Sequence, residues 1–259
     1  MYPQLFELGP ISIYTYGVLL AAAYLIGLQF TLMRAKTRGL DGNRVMDLGI
    51  YIIISALIGA KLLLIVVDFN HFQQDPWSIL RSGGVFYGGL LVAVSTAFWY
   101  MRRYRMPLWT VCDAFAPGII LGQAVGRMGC LMAGCCYGKL TEIPWGITFT
   151  NPLAAANVGT PLAVNLHPTQ LYESLTALLI LGLLLISERT MKSFPGRTFW
   201  NYLLLYSLAR FFIEFYRGDP RGTVFDVLST SQFVSLLLIP LSILMLLILR
   251  RSKNLESKR

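Results

Sequence analysis

Tyr206, Arg210, Glu214 and Arg217 follow one another at i, i+4, i+8 and i+11 inside an apolar stretch. At helical periodicity that spacing places all four on one face. An ionised group within a membrane-length helix costs roughly 2.5–3.5 kcal/mol even on the mildest insertion scale, so it needs a reason. One reason is an internal Arg210–Glu214 pair that only neutralises two charges. Arg217 and the nearby Arg221 add positive charge at the outer end of the stretch. That excess favours a second reason, an anion-binding face, because a planar guanidinium can hold two phosphate oxygens at once.

Four further places carry chemically capable side chains. Arg127 stands between Gly126 and Gly129, where it reads either as the cap of a helix end or as a phosphate contact. Tyr87 is bracketed by Gly83, Gly84, Gly88 and Gly89, which offer close helix packing or room for a substrate beside the hydroxyl. His167 opens the segment HPTQLYE, in which Gln170 and Glu173 share a face; the histidine can cap a helix, ligate a metal or move protons. Cys130, Cys135 and Cys136 have C-x4-C-C spacing, which is not a standard zinc pattern. In an oxidising compartment Cys130 could pair with Cys135 or Cys136. Lys61, Asp113 and Glu173 are also ionisable groups in or at the ends of apolar runs.

The elements that must position these residues are membrane-length. Of 259 residues, 55% are hydrophobic and 14% charged, with mean hydropathy +0.59. A soluble domain carries about 25% charged residues. Seven apolar runs, at about residues 13–33, 45–67, 85–101, 108–125, 169–186, 198–216 and 232–249, are each near the roughly 20 residues that span a bilayer core. They leave no room for a separate soluble domain, so residues 1–259 are read as a single polytopic membrane domain. The expected fold is an all-α integral membrane protein of about seven transmembrane helices.

The net charge of +9 does not point to nucleic acid, because the basic residues cluster in short loops between apolar runs. Loops after the first, third, fifth and seventh runs hold 15 of the 22 Lys and Arg residues; the opposite side holds five. The richer side is expected to be cytoplasmic, which puts the N-terminus outside and the C-terminus in the cytoplasm.

Taken together, LGPISIYTYG, GAKL, GGVFYGG, the GRMGC…YG run, HPTQLYE and LARFFIEFYR occur in an order that resembles the prolipoprotein diacylglyceryl transferase family. The resemblance covers nearly the whole chain. It implies a seven-span helical bundle in the bacterial cytoplasmic (inner) membrane, with a site open to the bilayer and the outer face. It also implies transfer of an sn-1,2-diacylglyceryl group from phosphatidylglycerol to the lipobox cysteine of a prolipoprotein signal peptide. A thioether forms and glycerol phosphate leaves. The implied partners are phosphatidylglycerol, prolipoproteins and membrane lipids; no metal or organic cofactor is implied.

By motif match, Arg127 and Arg210 are the expected catalytic arginines, with Tyr87 and His167 beside them. Tyr16, Lys61, Gly138, Gln170, Tyr172, Glu173, Glu214 and Arg217 are the expected substrate-binding set. The chain departs from the family run GRxGNFxNxE: Cys130 and Ala133 replace asparagines and Cys135 replaces the glutamate. Tyr87 stands where the family usually has histidine.

Such a reaction needs arginines that stabilise charge on the leaving phosphate. It also needs an acceptor for the proton of a thiol whose pKa is near 8.5. A tyrosine with a pKa near 10 is a poor base by itself, and His167 and Glu173 are the alternatives. Because the attacking thiol comes from the acceptor protein, the chain's own cysteines are expected to be structural or dispensable. Two rivals remain: a related lipid transferase with another acceptor, and a thiol-redox or transport protein. No paired halves of the kind many transporters show are visible.

Overall fold

The structure is a computed structural model and describes residues 2–8, 11–77, 83–191, 194–219, 222–224 and 227–256. The chain opens with an antiparallel hairpin of β1 (Gln4–Leu8) and β2 (Ile11–Tyr14). The helices α1 (Thr15–Thr37), α2 (Gly42–Val67), the short α3 (Phe69–Gln74), α4 (Phe86–Arg103) and α5 (Leu108–Ala133) follow. Beyond them come β3 (Ile147–Thr148), the short α6 (Pro152–Val158), β4 (Asn165–Leu166), α7 (Thr169–Thr190) and α8 (Arg197–Ile213). A 3-10 turn (Glu214–Tyr216), β5 (Thr223–Val224), β6 (Leu228–Ser229) and α9 (Thr230–Glu256) complete the chain. Among the described residues, then, each of the seven apolar runs forms a helix, and three two-stranded sheets lie between them.

Five of these helices, α1, α2, α5, α7 and α9, are long and apolar enough to cross a membrane. The other two fall short by composition or length: α4 ends on Arg102 and Arg103, and α8 has 17 residues with Arg210 among them. Large apolar side chains such as Leu57, Val66, Leu91, Leu179 and Leu237 are exposed on the helix surfaces. That much outward apolar surface fits a protein surrounded by lipid.

The chain divides into two compact units, residues 32–111 and residues 1–31 with 112–259. In the first, α2 and α4 touch along small residues. A methyl group added at Gly89 would lie 2.8 Å from the carbonyl oxygen of Ala56, and one at Gly84 would lie 2.7 Å from the Ala60 methyl. Small residues let helix backbones approach where lipid supplies no hydrophobic drive. Gly84, Gly88 and Gly89 therefore serve close packing with α2, the first of the two readings of this glycine group, while Gly83 faces open space.

In the second unit, Ala116, Ile120 and Ala124 of α5 pack with Ala177, Ile180 and Leu184 of α7 and Tyr202 of α8. The Ser174 hydroxyl donates to the Ala124 carbonyl at 2.9 Å. Asp113 has a structural reason to be inside a span: its carboxylate accepts from the N–H groups of Gly196 (2.7 Å) and Phe199 (2.9 Å). It thereby caps the exposed donors at the start of α8 from a neighbouring helix.

The expected end of the fourth span is also corrected. The helix does not stop at Gly126–Gly129 but runs on to Ala133, so Arg127 projects from a continuous helix and is not its cap. The glycines of α5 serve packing: a methyl at Gly122 would lie 2.9 Å from the Ala23 carbonyl oxygen, and one at Gly129 would meet Leu19 and Tyr16. The residue that ends α5 is Gly134, with φ +83°, a left-handed conformation that glycine adopts without penalty.

Candidate functional site

Glu173 lies one turn into α7 and is buried with Thr169 and Gln170. Its carboxylate meets three guanidinium groups. Oε2 is 2.7 Å from Nη2 of Arg127 on α5. Oε1 accepts from Nη1 of Arg210 on α8 at 3.1 Å and from Nη1 of Arg217 at 2.8 Å. Arg210 also reaches Glu214 one turn on, at 2.6 Å, and donates to the Ser231 hydroxyl at 3.1 Å. Arg217 grips Asp219 with two bonds of 2.8 and 2.9 Å.

Three arginines and three carboxylates thus form one buried, formally neutral network. At Arg217 itself the positive charge meets Asp219 and the shared Glu173. Arg221 lies outside the described residues. Arg217 is also not at the surface; burial opposes its charge, but the hydrogen bonds from its guanidinium to Asp219 hold it above the ordinary arginine pKa. Arg127 is the most accessible of the three, with 19% of its side chain exposed against 8% for Arg210 and 2% for Arg217.

Between α7 and α8, Glu173 and Arg210 meet Tyr206, Ala177, Ile180 and Ile213 around a gap of about 10 Å³, room for no more than a water. On the far side of Arg127, the Tyr16 ring lies over Gly129, one half turn along the same helix; Tyr16 is 40% exposed.

The residues after α5 are tied to the same place. The backbone N–H of Gly138 donates to His167 (3.0 Å), that of His167 to Lys139 (2.9 Å), and that of Lys139 to Tyr216 (2.8 Å). Gly218 in turn donates to Tyr137 at 3.1 Å. A methyl at Gly138 would stand 2.8 Å from the Tyr216 carbonyl oxygen, so only glycine fits without a shift. Gly138 therefore joins the chain before α7 to the chain after α8. His167 Nδ1 is 3.3 Å from the Tyr172 hydroxyl, which accepts from the Trp145 indole at 3.0 Å. The ring of Tyr216 lies edge-on to His167 at 5.1 Å.

Cys130, Cys135 and Cys136 are free thiols, so the pairing allowed by their spacing is not formed. Their sulfurs nevertheless gather within 4.8 Å of one another, and Arg127 Nη1 points at Cys136 Sγ from 3.6 Å. Hydrogen bonds from Cys130 and Cys135, with Arg217 nearby, pull the Cys136 thiol below its usual pKa; the same bonds push Cys135 up.

The structure therefore brings together Arg127, Arg210, Arg217, Glu173 and Glu214, with Gln170, Gly138, His167 and Tyr172 around them. Lys61 and Tyr87 belong to the other unit. There Lys61 Nζ donates to the Gly83 carbonyl at 3.2 Å, and Tyr87 is 44% exposed at the first turn of α4. The sequence reading missed Asp219, Ser231 and Trp145. Asp219 alone left a signal, an acid two residues after a charged arginine in RGDPRG.

Apolar helices around a buried arginine–carboxylate network define a membrane protein. Comparison with known proteins gives the family. The prolipoprotein diacylglyceryl transferase family matches residues 3–248, and the chain belongs to it. A relative from Clostridium tetani, named phosphatidylglycerol–prolipoprotein diacylglyceryl transferase, is 39% identical over 247 residues, covering 94% of this chain and 96% of its own. Phosphatidylglycerol–prolipoprotein diacylglyceryl transferase 2 of Clostridium perfringens is 34% identical over 90% of both chains. The enzyme of that name from Oceanobacillus iheyensis is 31% identical over 95% of this chain and 87% of its own.

Proposed function

We propose that this protein transfers the sn-1,2-diacylglyceryl group of phosphatidylglycerol to the lipobox cysteine of a prolipoprotein. The observation that carries this reading is the convergence of Arg127, Arg210 and Arg217 on Glu173 among membrane-length apolar helices. Glu173 holds the guanidiniums in place before substrate arrives, and fixed donors stabilise developing charge without reorganising during the reaction. The acceptor sulfur attacks the glyceryl carbon, the carbon–oxygen bond to phosphate breaks, and glycerol phosphate leaves with the bonding electrons. Arg127, the most accessible guanidinium, meets that phosphate first, with Arg210 behind it.

The thiol proton goes to His167, whose ring is oriented by Tyr172 and Tyr216. Glu173 is the poorer acceptor because both its oxygens are occupied by guanidinium groups. Tyr16 and Tyr172 line the approach of lipid and peptide, and Gln170 supports the start of α7 from within.

In this reading the chain is one membrane domain with seven spans in the bacterial cytoplasmic membrane, its N-terminus outside and its C-terminus inside. The 15-to-5 division of basic residues supports that orientation. A fluorescent protein fused to the C-terminus should fluoresce, and alkaline phosphatase fused after Gly159 should be active; the reverse pattern inverts the topology. The function is tested by incubating the purified chain with labelled phosphatidylglycerol and a lipobox peptide. The expected product is the peptide heavier by one diacylglyceryl group, with label in a thioether. An unmodified peptide, in a preparation that is folded and holds lipid, overturns the assignment.

A further inference from the structure

We infer that Cys130, Cys135 and Cys136 form a binding site for one thiophilic divalent cation of the zinc class. All three thiols are free, and each sulfur lies within 4.8 Å of the other two. Sulfurs sharing a zinc ion at a bond length of about 2.3 Å stand roughly 4 Å apart, so the cluster needs to contract little to close on an ion. A disulfide requires a sulfur–sulfur bond of about 2.05 Å, a much larger movement, and leaves one thiol over.

The backbone is shaped for this convergence. Cys130 is in the last turn of α5. Gly134, with φ +83°, and Cys136, with φ +64°, turn the chain back on the helix end. A left-handed conformation at a non-glycine residue is uncommon and persists only where its surroundings hold it. Here α7 does so: Gln170 Nε2 holds the Cys135 carbonyl at 2.8 Å, and the Thr169 hydroxyl holds the Cys136 carbonyl at 2.7 Å. Those bonds use backbone atoms and not the sulfurs. Gln170 Oε1, on the amide whose nitrogen holds Cys135, is buried with no hydrogen-bond partner among the described residues.

Binding releases the three thiol protons, and three thiolates around a divalent ion carry one net negative charge. Arg127, 3.6 Å from Cys136 Sγ and paired on its other side with Glu173, supplies an N–H···S contact of the kind that orients metal-bound ligands. No electron is transferred. The ion fastens the end of α5, which carries Arg127, to the start of α7, which carries Glu173.

The test is metal content and not transfer activity, so it stands apart from the reading of the function. The full chain, purified in detergent with a phosphine reductant, is expected to hold about one zinc per chain by plasma mass spectrometry. After chelation it should take up about one cobalt(II) and develop sulfur-to-cobalt charge-transfer absorption. Cys130→Ser, Cys135→Ser and Cys136→Ser should each abolish that absorption, and Cys112→Ser should keep it. If the serine variants do not fold, the cobalt titration of the unsubstituted protein decides. The inference is overturned if that protein binds neither ion with its thiols reduced. It is also overturned if its intact mass, before reductant, is about 2 Da low because two of these cysteines are joined.

Discussion

Glu173 and Arg127 approach to 2.7 Å across two helices, and the same carboxylate receives Arg210 and Arg217 on its other oxygen. One acid on α7 is therefore the shared counter-ion for every arginine in the site. Removing one partner of a buried ion pair is strongly destabilising because it strands the other charge, whereas the intact pair contributes little net stability.

Glu173→Gln keeps the side-chain shape and removes the charge. Three guanidiniums are then left with Glu214 and Asp219 alone. The expected cost is about 3–5 kcal/mol of stability, the range for a broken buried pair. Thermal unfolding in detergent measures it, and transfer should fall in parallel. An unchanged unfolding midpoint would mean that Glu173 does not hold the network together.

Arg127→Ala and Arg210→Ala should each lower the transfer rate at saturating lipid by about 10²–10³, the usual loss for one donor to developing charge. Stability separates them. Arg210 is buried and bound to Glu173, Glu214 and Ser231, so its removal should also lower the unfolding midpoint. The more exposed Arg127 should lose activity with a smaller change in stability. Lysine at either position keeps the charge but not the fork, and should also be impaired. Near-normal rates in both alanine variants would make the arginines structural.

Arg217→Lys is expected to be severe. In the sequence this residue reads as the outer end of a charged face; in the structure it bridges Asp219 and Glu173 through three nitrogens. A single ammonium cannot reproduce that geometry. A cycle of Arg217→Lys, Asp219→Asn and the double variant should show a coupling of about 0.5–3 kcal/mol in unfolding free energy, the range for residues in one network. Additive effects would contradict the bidentate contact.

Gly138→Ala adds a methyl group 2.8 Å from the Tyr216 carbonyl oxygen, where backbone must move to admit it. Overpacking of this kind costs about 1–3 kcal/mol. The bonds that Gly138 and Lys139 make to His167 and Tyr216 should loosen. Hydrogen exchange at those amides, together with transfer rate, checks this; wild-type protection in the variant would count against it.

The sequence by itself determined that the chain is helical and membrane-embedded, where its helices lie, and which polar residues share a face. Apolar runs and the 3.6-residue period are local properties, and they place Tyr206, Arg210 and Glu214 together without knowledge of any neighbour. The order of motifs likewise revealed the family. Only the tertiary structure decided which element each face meets. Glu173 is 46 residues from Arg127 and 37 from Arg210, and no periodicity connects α7 to α5 and α8. The glycines of GRMG read locally as a helix end, yet they serve contact with α1, because a missing side chain weakens a helix unless another backbone fills the space. C-x4-C-C is not a standard zinc spacing and leaves metal chemistry only a lesser reading, yet a left-handed turn at Gly134 and Cys136, held by Thr169 and Gln170, gathers the three sulfurs. In each case the deciding interaction joins residues far apart in sequence, and packing alone determines which of them meet.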